Sequence, residues 1–140
     1  METVSVRRTI PGPEAPIRQA MHEIGPFMEA AGFDRVTVDG HQFTIENDVG
    51  LLSISLTLQT IDHEAALAYE QLDGIFETMV TWYTLESHDG ETTVEATTEF
   101  ELDASLVGPI LDSTVISRQR KKELERQFDY LEAVAREQSR

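Results

Sequence analysis

A handful of hydroxyl, phenol and amine side chains carries most of the chemistry in this sequence, and their spacing sends them towards one space. Thr81 and Tyr83 stand two apart, the separation that puts side chains on one face of a strand. Thr98 faces Thr81 across a hairpin turned at Asp89-Gly90, and Tyr69 lies on the strand before. Thr114, Ser117 and Lys121 fall in the helical row Ile110, Thr114, Ser117, Lys121, Leu124, Phe128, Leu131, Ala135. A few placed polar groups in an apolar cavity is how small-molecule sites are built. The candidate ligand-binding set is therefore Tyr69, Met79, Thr81, Tyr83, Thr98, Ile110, Thr114, Ser117 and Lys121. Each residue taken singly has a plainer alternative. The tyrosines can be core aromatics with backbone partners, and Lys121 can snorkel past the helix edge. Taken as a set, they favour ligand contact.

The chemistry on offer is recognition rather than turnover. General acid–base catalysis needs a histidine or carboxylate held inside near the substrate. Here the acids fall on outer strand faces and loops, and no histidine falls at mid-pocket. Nucleophile motifs and phosphate-cradling glycine loops are absent. No catalytic residue is assigned. The four histidines fail as a metal set. His41, His63 and His88 sit at alternate turns, about 10 Å apart from strand spacing alone, whereas zinc holds its ligands within about 2.0–2.3 Å. His22 has no His or Cys at i+3 or i+4. Neither a metal nor another cofactor is expected. The absence of cysteine excludes disulfides and thiolate chemistry.

The residues that would position this set begin with a long C-terminal helix, from about Ser105 to Arg136, against which the rest of the chain reads as a surface. The ends of its row are apolar, as a core-facing helix requires, but its middle is not. Removing Thr114, Ser117 and Lys121 from water without partners costs on the order of 1–3 kcal/mol each. A wet or ligand-filled space beside them resolves this; so does a kink that turns the stripe, because Val115 and Ile116 lie off the row.

Before that helix, Val4, Val6 and Ile10 alternate in a first strand stopped by Pro11-Gly12-Pro13, with Arg8 on the same face. Ile17, Met21 and Ile24 mark a first helix, broken by Gly25-Pro26; a second, Phe27 to Ala31, ends at Gly32. Six strands follow: Arg35–Asp39, His41–Glu46, Leu51–Ile61, Ala65–Gln71, Phe76–Ser87 and Thr92–Leu102. Their short links, three of them Asp-Gly turns (Asp39-Gly40, Asp73-Gly74 and Asp89-Gly90), allow only antiparallel neighbours. The Asp89-Gly90 turn pairs Leu85 with Val94, Tyr83 with Ala96, Thr81 with Thr98, and Met79 with Phe100. Those residues then face inward, and Val80 and Trp82 face outward among glutamates. Leu52, Ile54, Leu56 and Leu58 alternate with polar residues, so the sheet has one apolar face and needs a cover.

The chain has 140 residues, 26 acidic and 11 basic, for a net charge of −15. That length fits one domain, 1–140, with its own core. The negative field repels nucleic acid and anionic membrane. The cluster Arg118 to Lys122 does not reverse this, since it spreads over all helix faces and is followed by Glu123 and Glu125. No apolar run approaches the ~20 residues that span a bilayer, and Met1 to Arg8 lacks the order of a signal peptide, so a cytoplasmic location is expected. Lysine occurs only at 121 and 122, and acid is dispersed along the chain. This resembles the proteome of a halophilic archaeon; the alternative is a merely acidic mesophilic protein.

The order of strand, two short helices, six antiparallel strands and long helix is that of an α+β helix-grip fold. In detail the chain resembles the START/SRPBCC superfamily, in particular its polyketide cyclase/dehydrase branch. Ile10-Pro-Gly-Pro-Glu-Ala-Pro-Ile17 is similar to the exit of the first strand into helix one. Tyr83-Thr-Leu85 with Asp89-Gly90-Glu-Thr-Thr-Val94 is similar to the sixth hairpin, and Gly108 to Asp112 running into Arg118 to Leu131 to the terminal helix. The chain departs at Phe27 to Phe33, where many relatives place a tryptophan. The resemblance implies a sheet of about seven strands wrapped on the C-terminal helix, with the ligand between them.

It also implies a partner: a small hydrophobic ligand such as a lipid, isoprenoid, quinone or polyketide, bound and in some members carried. The enzymatic alternative is a cofactor-independent cyclase or dehydratase with Tyr83 and Arg8 as weak polarisers. A co-chaperone-like interaction module is the third, with Trp82 and Val80 as the contact. Neither the ligand nor the oligomeric state is legible. The meander places Asn47–Gly50, Asp73-Gly74 and Asp103–Pro109 at one end, the expected mouth.

Overall fold

In a computed structural model, the structure describes residues 1–49, 51–105 and 112–138. The chain runs β1 (Glu2–Pro11), α1 (Glu14–His22), α2 (Ile24–Glu29), β2 (Arg35–Asp39), β3 (Gln42–Val49), β4 (Leu52–Thr60), β5 (Leu67–Asp73), β6 (Phe76–His88), β7 (Glu91–Leu102) and α3 (Ser113–Gln138). The fold is α+β: one antiparallel sheet in the order β1-β7-β6-β5-β4-β3-β2, with the long C-terminal helix on it.

Turn chemistry fixes the register. Asp89 and Gly90 both take positive φ, 49° and 79°, as the tight hairpin turn of a right-twisted pair demands. Leu85 thus pairs with Val94, Tyr83 with Ala96, Thr81 with Thr98 and Met79 with Phe100, the register that the turn predicts. At the β2–β3 hairpin Asp39 pairs with Gln42, so Gly40 and His41 are the central residues, and Gly40 takes φ 62°. Near the Asp73-Gly74 turn, bulges at Thr57/Leu58 and Phe76/Thr78 interrupt the ladder. There the Gln71 amide stands in for a missing backbone rung, donating to the Phe76 carbonyl at 2.8 Å and accepting from its N–H at 3.2 Å.

Gly25-Pro26 does not break the first helix. The break falls at Glu23, and Gly25 and Pro26 lie in the first turn of α2, where a missing N–H costs nothing. Ile17 and Met21 of α1, Phe27 and Met28 of α2, and Leu124, Phe128 and Leu131 of α3 close over the sheet's apolar face. Arg8, at the edge of that face, binds Asp129 at 2.6 Å and Glu132 at 3.3 Å, with its guanidinium 5.8 Å from the Phe128 ring centre. It ties β1 to α3.

The phase of α3 corrects the predicted row. Its buried residues are Ile116, Arg120, Glu123, Leu124, Gln127, Phe128, Leu131 and Ala135. The row holds from Leu124 onward and is one residue out before it. Thr114 and Lys121 are exposed and Ser117 is half-buried; Ile116 and Arg120 take the inward positions. The polar middle of the helix is real, but Arg120, Glu123 and Gln127 form it. Ile110 lies outside the described residues, as does most of the Asp103–Pro109 link.

Candidate functional site

A cavity of about 60 Å³ lies between the sheet and the N-terminal half of α3. With one water needing about 10–15 Å³, that is room for about four to six waters, short of the about 150 Å³ of a cavity that takes a benzene ring. Ile45, Leu56, Leu58, Met79, Phe100 and Ile116 give it apolar walls. Its half-buried lining residues, Phe33, Asn47, Ile54, Ile75, Phe76 and Gln119, mark where it meets solvent, at the end of the sheet expected to open. Tyr69, Thr98, Arg120 and Glu123 supply polar wall.

Arg120 organises that wall. Its Nε donates to Thr98 Oγ1 at 2.9 Å, its Nη2 to the Tyr69 hydroxyl at 2.6 Å and to Thr81 Oγ1 at 3.3 Å, and its Nη1 to Glu123 Oε1 at 3.0 Å. Thr81 and Thr98 are themselves 2.8 Å apart. A guanidinium carries five N–H donors, so among the described residues one donor on Nη1 remains unassigned. Every buried side-chain nitrogen and oxygen described has a partner. Only such saturation makes a buried cation tolerable, and removing one partner of a buried pair typically costs about 3–5 kcal/mol.

From Arg120 the hydrogen bonds continue in one direction. Tyr83 donates to Gln127 Oε1 at 2.6 Å, so it must accept from Tyr69 at 3.1 Å, because Tyr69 already accepts from Arg120. Gln127 Nε2 then donates to the Phe27 carbonyl at 3.2 Å. The chain Arg120→Tyr69→Tyr83→Gln127→Phe27 therefore crosses the core from the cavity to α2. Phe27 also meets the Tyr83 ring edge-on at 5.3 Å, and Phe43 meets Tyr69 likewise at 5.3 Å.

The electrostatics follow from burial. Desolvation pushes the Tyr83 phenol well above its ordinary range, with Tyr69 adding to the shift. Burial works to deprotonate Arg120, but Tyr69, Tyr83 and Glu123 outweigh it and hold the guanidinium charged. Burial raises the Glu123 carboxyl despite the pull of Arg120. Glu123 is held loosely: one bond from Arg120, and a 3.4 Å contact from the Gln119 amide.

The structure brings Tyr69, Met79 and Thr98 to the cavity wall, with Thr81 and Tyr83 directly behind it. It does not bring Thr114, Ser117 or Lys121 there. Sequence reasoning missed Arg120, Glu123 and Gln127, because such residues are seldom buried unless paired. Their i, i+3, i+7 spacing in register with Leu124, Phe128 and Leu131 is the signal that could have found them. The acids do not all lie on outer faces either, since Glu123 is inside.

Trp82 is half-buried rather than exposed, stacked on His63 at 5.9 Å and 17°, and Val80 is half-buried beside it. His22, His41 and His63 line a separate polar cleft at the far end, where His22 Nε2 bonds the Ala66 carbonyl at 2.8 Å. His88 lies apart, with Asp89 at 3.1 Å. No group of three or more His, Asp or Glu side chains among the described residues is placed to hold a metal ion. No helix among them is long and apolar enough to cross a membrane.

No protein-family model matches the sequence, and comparison with curated proteins finds no match. Solved structures do match. A START superfamily protein from Mycobacterium smegmatis superposes with a TM-score of 0.73 at 10% identity, over 96% of this chain and 97% of that one. The fold is START-like. A protein from Thermus thermophilus matches over 99% of this chain and 100% of its own, with a TM-score of 0.72 at 15% identity. The ZhuI aromatase/cyclase from a Streptomyces species shares the START-like fold too, with a TM-score of 0.67 at 18% identity over 97% and 92% of the two chains. At these identities the likeness is one of fold.

Proposed function

We propose that this protein is a cytoplasmic binding protein for a small, largely apolar molecule, held between the sheet and α3. The observation that carries the reading is an apolar cavity with a guanidinium fixed in its wall by Thr98, Tyr69 and Thr81. Apolar walls give affinity, and the one unassigned Arg120 donor would fix the orientation of an acceptor group. The START-like fold shared with these neighbours is in keeping with a ligand-binding role. As it stands the space takes the end of a ligand, and a ring, which needs about 150 Å³, enters as the walls part. An entire lipid or polyketide needs a pocket of about 300–1,000 Å³ and would have to move Phe33, Asn47 and Ile75 apart. Native mass spectrometry of protein purified from its own host, followed by organic extraction, tests the reading. A bound small apolar molecule supports it, and protein that carries none and binds no ring-sized probe refutes it.

A second reading, a cofactor-independent cyclase, is favoured by one feature. Glu123 is a carboxyl in the cavity wall that burial pushes towards its neutral, proton-donating form. The aromatase/cyclase neighbour is in keeping with it. Turnover of an extracted ligand that is lost in Glu123→Gln while binding survives would establish this reading over the first.

A further inference from the structure

We propose that the ligand is a small monocarboxylic acid whose carboxylate replaces Glu123 as the counter-ion of Arg120. This rests on the binding reading above and adds the chemical class of the ligand.

The geometry of Arg120 sets it apart from an ordinary structural ion pair. Three of its bonds go to the sheet, to Thr98, Tyr69 and Thr81, and they fix the plane of the guanidinium before any ligand arrives. Only the Nη1 edge is left for a carboxylate. Glu123 meets that edge with a single bond and leaves the second Nη1 hydrogen open. Side chains on a helix lean towards its N-terminus, so the Glu123 carboxyl lies back alongside Arg120 and Gln119, within the cavity wall. It occupies the place that an entering acid group would take.

The rest of the wall fits such a ligand. Leu56, Leu58, Met79 and Ile116 would cover an aromatic or branched apolar body. Among the described residues, the only other charged or titratable group lining the cavity is Tyr69 of β5, which already accepts from Arg120; Arg126 on α3 adds its charge from outside the cavity. From β3, β4, β6 and β7 that lining offers no charged group. A neutral ligand would leave Glu123 in place and gain one N–H. An acid keeps the buried cation compensated and takes the place at Nη1 that Glu123 gives up. Two carboxylates cannot share that edge while both are charged, so one takes up a proton. Glu123, already raised by burial, is the one that does.

Benzoate and benzamide, alike in shape and different in charge, separate the outcomes by titration calorimetry on the intact protein. Benzoate should bind at least ~10-fold more tightly than benzamide at about pH 6, and its affinity should fall towards about pH 8, because a proton is taken up with it. Benzamide should show no such fall, and in Glu123→Gln the pH dependence for benzoate should vanish. Benzamide binding as tightly as benzoate, or a benzoate affinity independent of pH in the unsubstituted protein, overturns the proposal and leaves the binding reading intact. If neither compound nor phenol binds, both readings fall together. The comparison of the two compounds on the unsubstituted protein decides even if the variant does not fold.

Discussion

Arg120 Nη2 and the Tyr69 hydroxyl, 2.6 Å apart, join the long helix to the middle of the sheet at the cavity wall. This bond begins the polar chain that runs through Tyr83 and Gln127 to Phe27, so the wall of the cavity and the seating of α2 belong to one network.

Arg120→Met tests how much that network contributes to stability. It leaves Glu123 as a buried carboxyl without its cation, and Tyr69, Thr81 and Thr98 without their donor. Urea unfolding should show a loss of about 3–5 kcal/mol. A loss under about 1 kcal/mol would mean that water or rearrangement takes over those bonds.

Lys121→Ala, one residue away, should change stability by less than about 0.5 kcal/mol, since Lys121 is exposed. The contrast between the two variants is a direct test of the phase of α3. Equal losses would place Lys121 back on the buried face.

These two residues also mark how far the sequence could be read. Strand order and register were legible, because Asp89-Gly90 dictates the hairpin and because Leu52 to Leu58 alternate over a full strand. The later half of α3 was legible because Leu124, Phe128 and Leu131 are apolar. Its earlier half was not. One step of the row is 100° of rotation, and the choice between Lys121 and Arg120 as the inward cation depends on whether partners stand opposite. Those partners, Thr98, Thr81 and Tyr69, come from two hairpins that no local period connects to the helix. Sheet hydroxyls at Thr81, Tyr83 and Thr98 were read correctly as inward, but the groups they bond could be seen only in three dimensions.

Tyr83→Phe removes two hydrogen bonds and leaves the buried Tyr69 hydroxyl without its acceptor and Gln127 Oε1 without its donor, so stability should fall by at least about 1–3 kcal/mol. Ligand affinity should fall by no more than about tenfold, since Tyr83 lies behind the wall. A chemical step slowed by ~100-fold or more with binding retained would instead make Tyr83 part of an enzyme. Desolvation raises its phenol away from neutrality, which weighs against proton transfer there.

Glu123 predicts a pH dependence of stability. Its carboxyl titrates above the usual 4.5 in the folded protein, so the folded state holds the extra proton. Stability from this group is present below the unfolded pKa and is lost as pH rises through the folded one. Melting curves of Glu123→Gln should therefore gain on the unsubstituted protein as pH climbs from about 4.5, and level off once Glu123 has ionised. A constant difference between the two across that range would place the titration elsewhere.

Salt should stabilise the fold. With a net charge of −15, self-repulsion grows as screening is removed, and the Debye length reaches about 30 Å at about 0.01 M salt. The melting temperature should rise with potassium chloride from millimolar to molar concentrations. A flat response would refute adaptation of this sequence to a high-salt interior.

The central claim is that a ligand lies between the sheet and α3. Intermolecular nuclear Overhauser effects from phenol to methyl-labelled protein test it most directly. Contacts are expected to Leu56, Leu58, Met79 and Ile116, and none to Ile61 or Leu67 at the far cleft. Contacts confined to that cleft or to the outer face near Trp82, or no saturable contact at all, would contradict it.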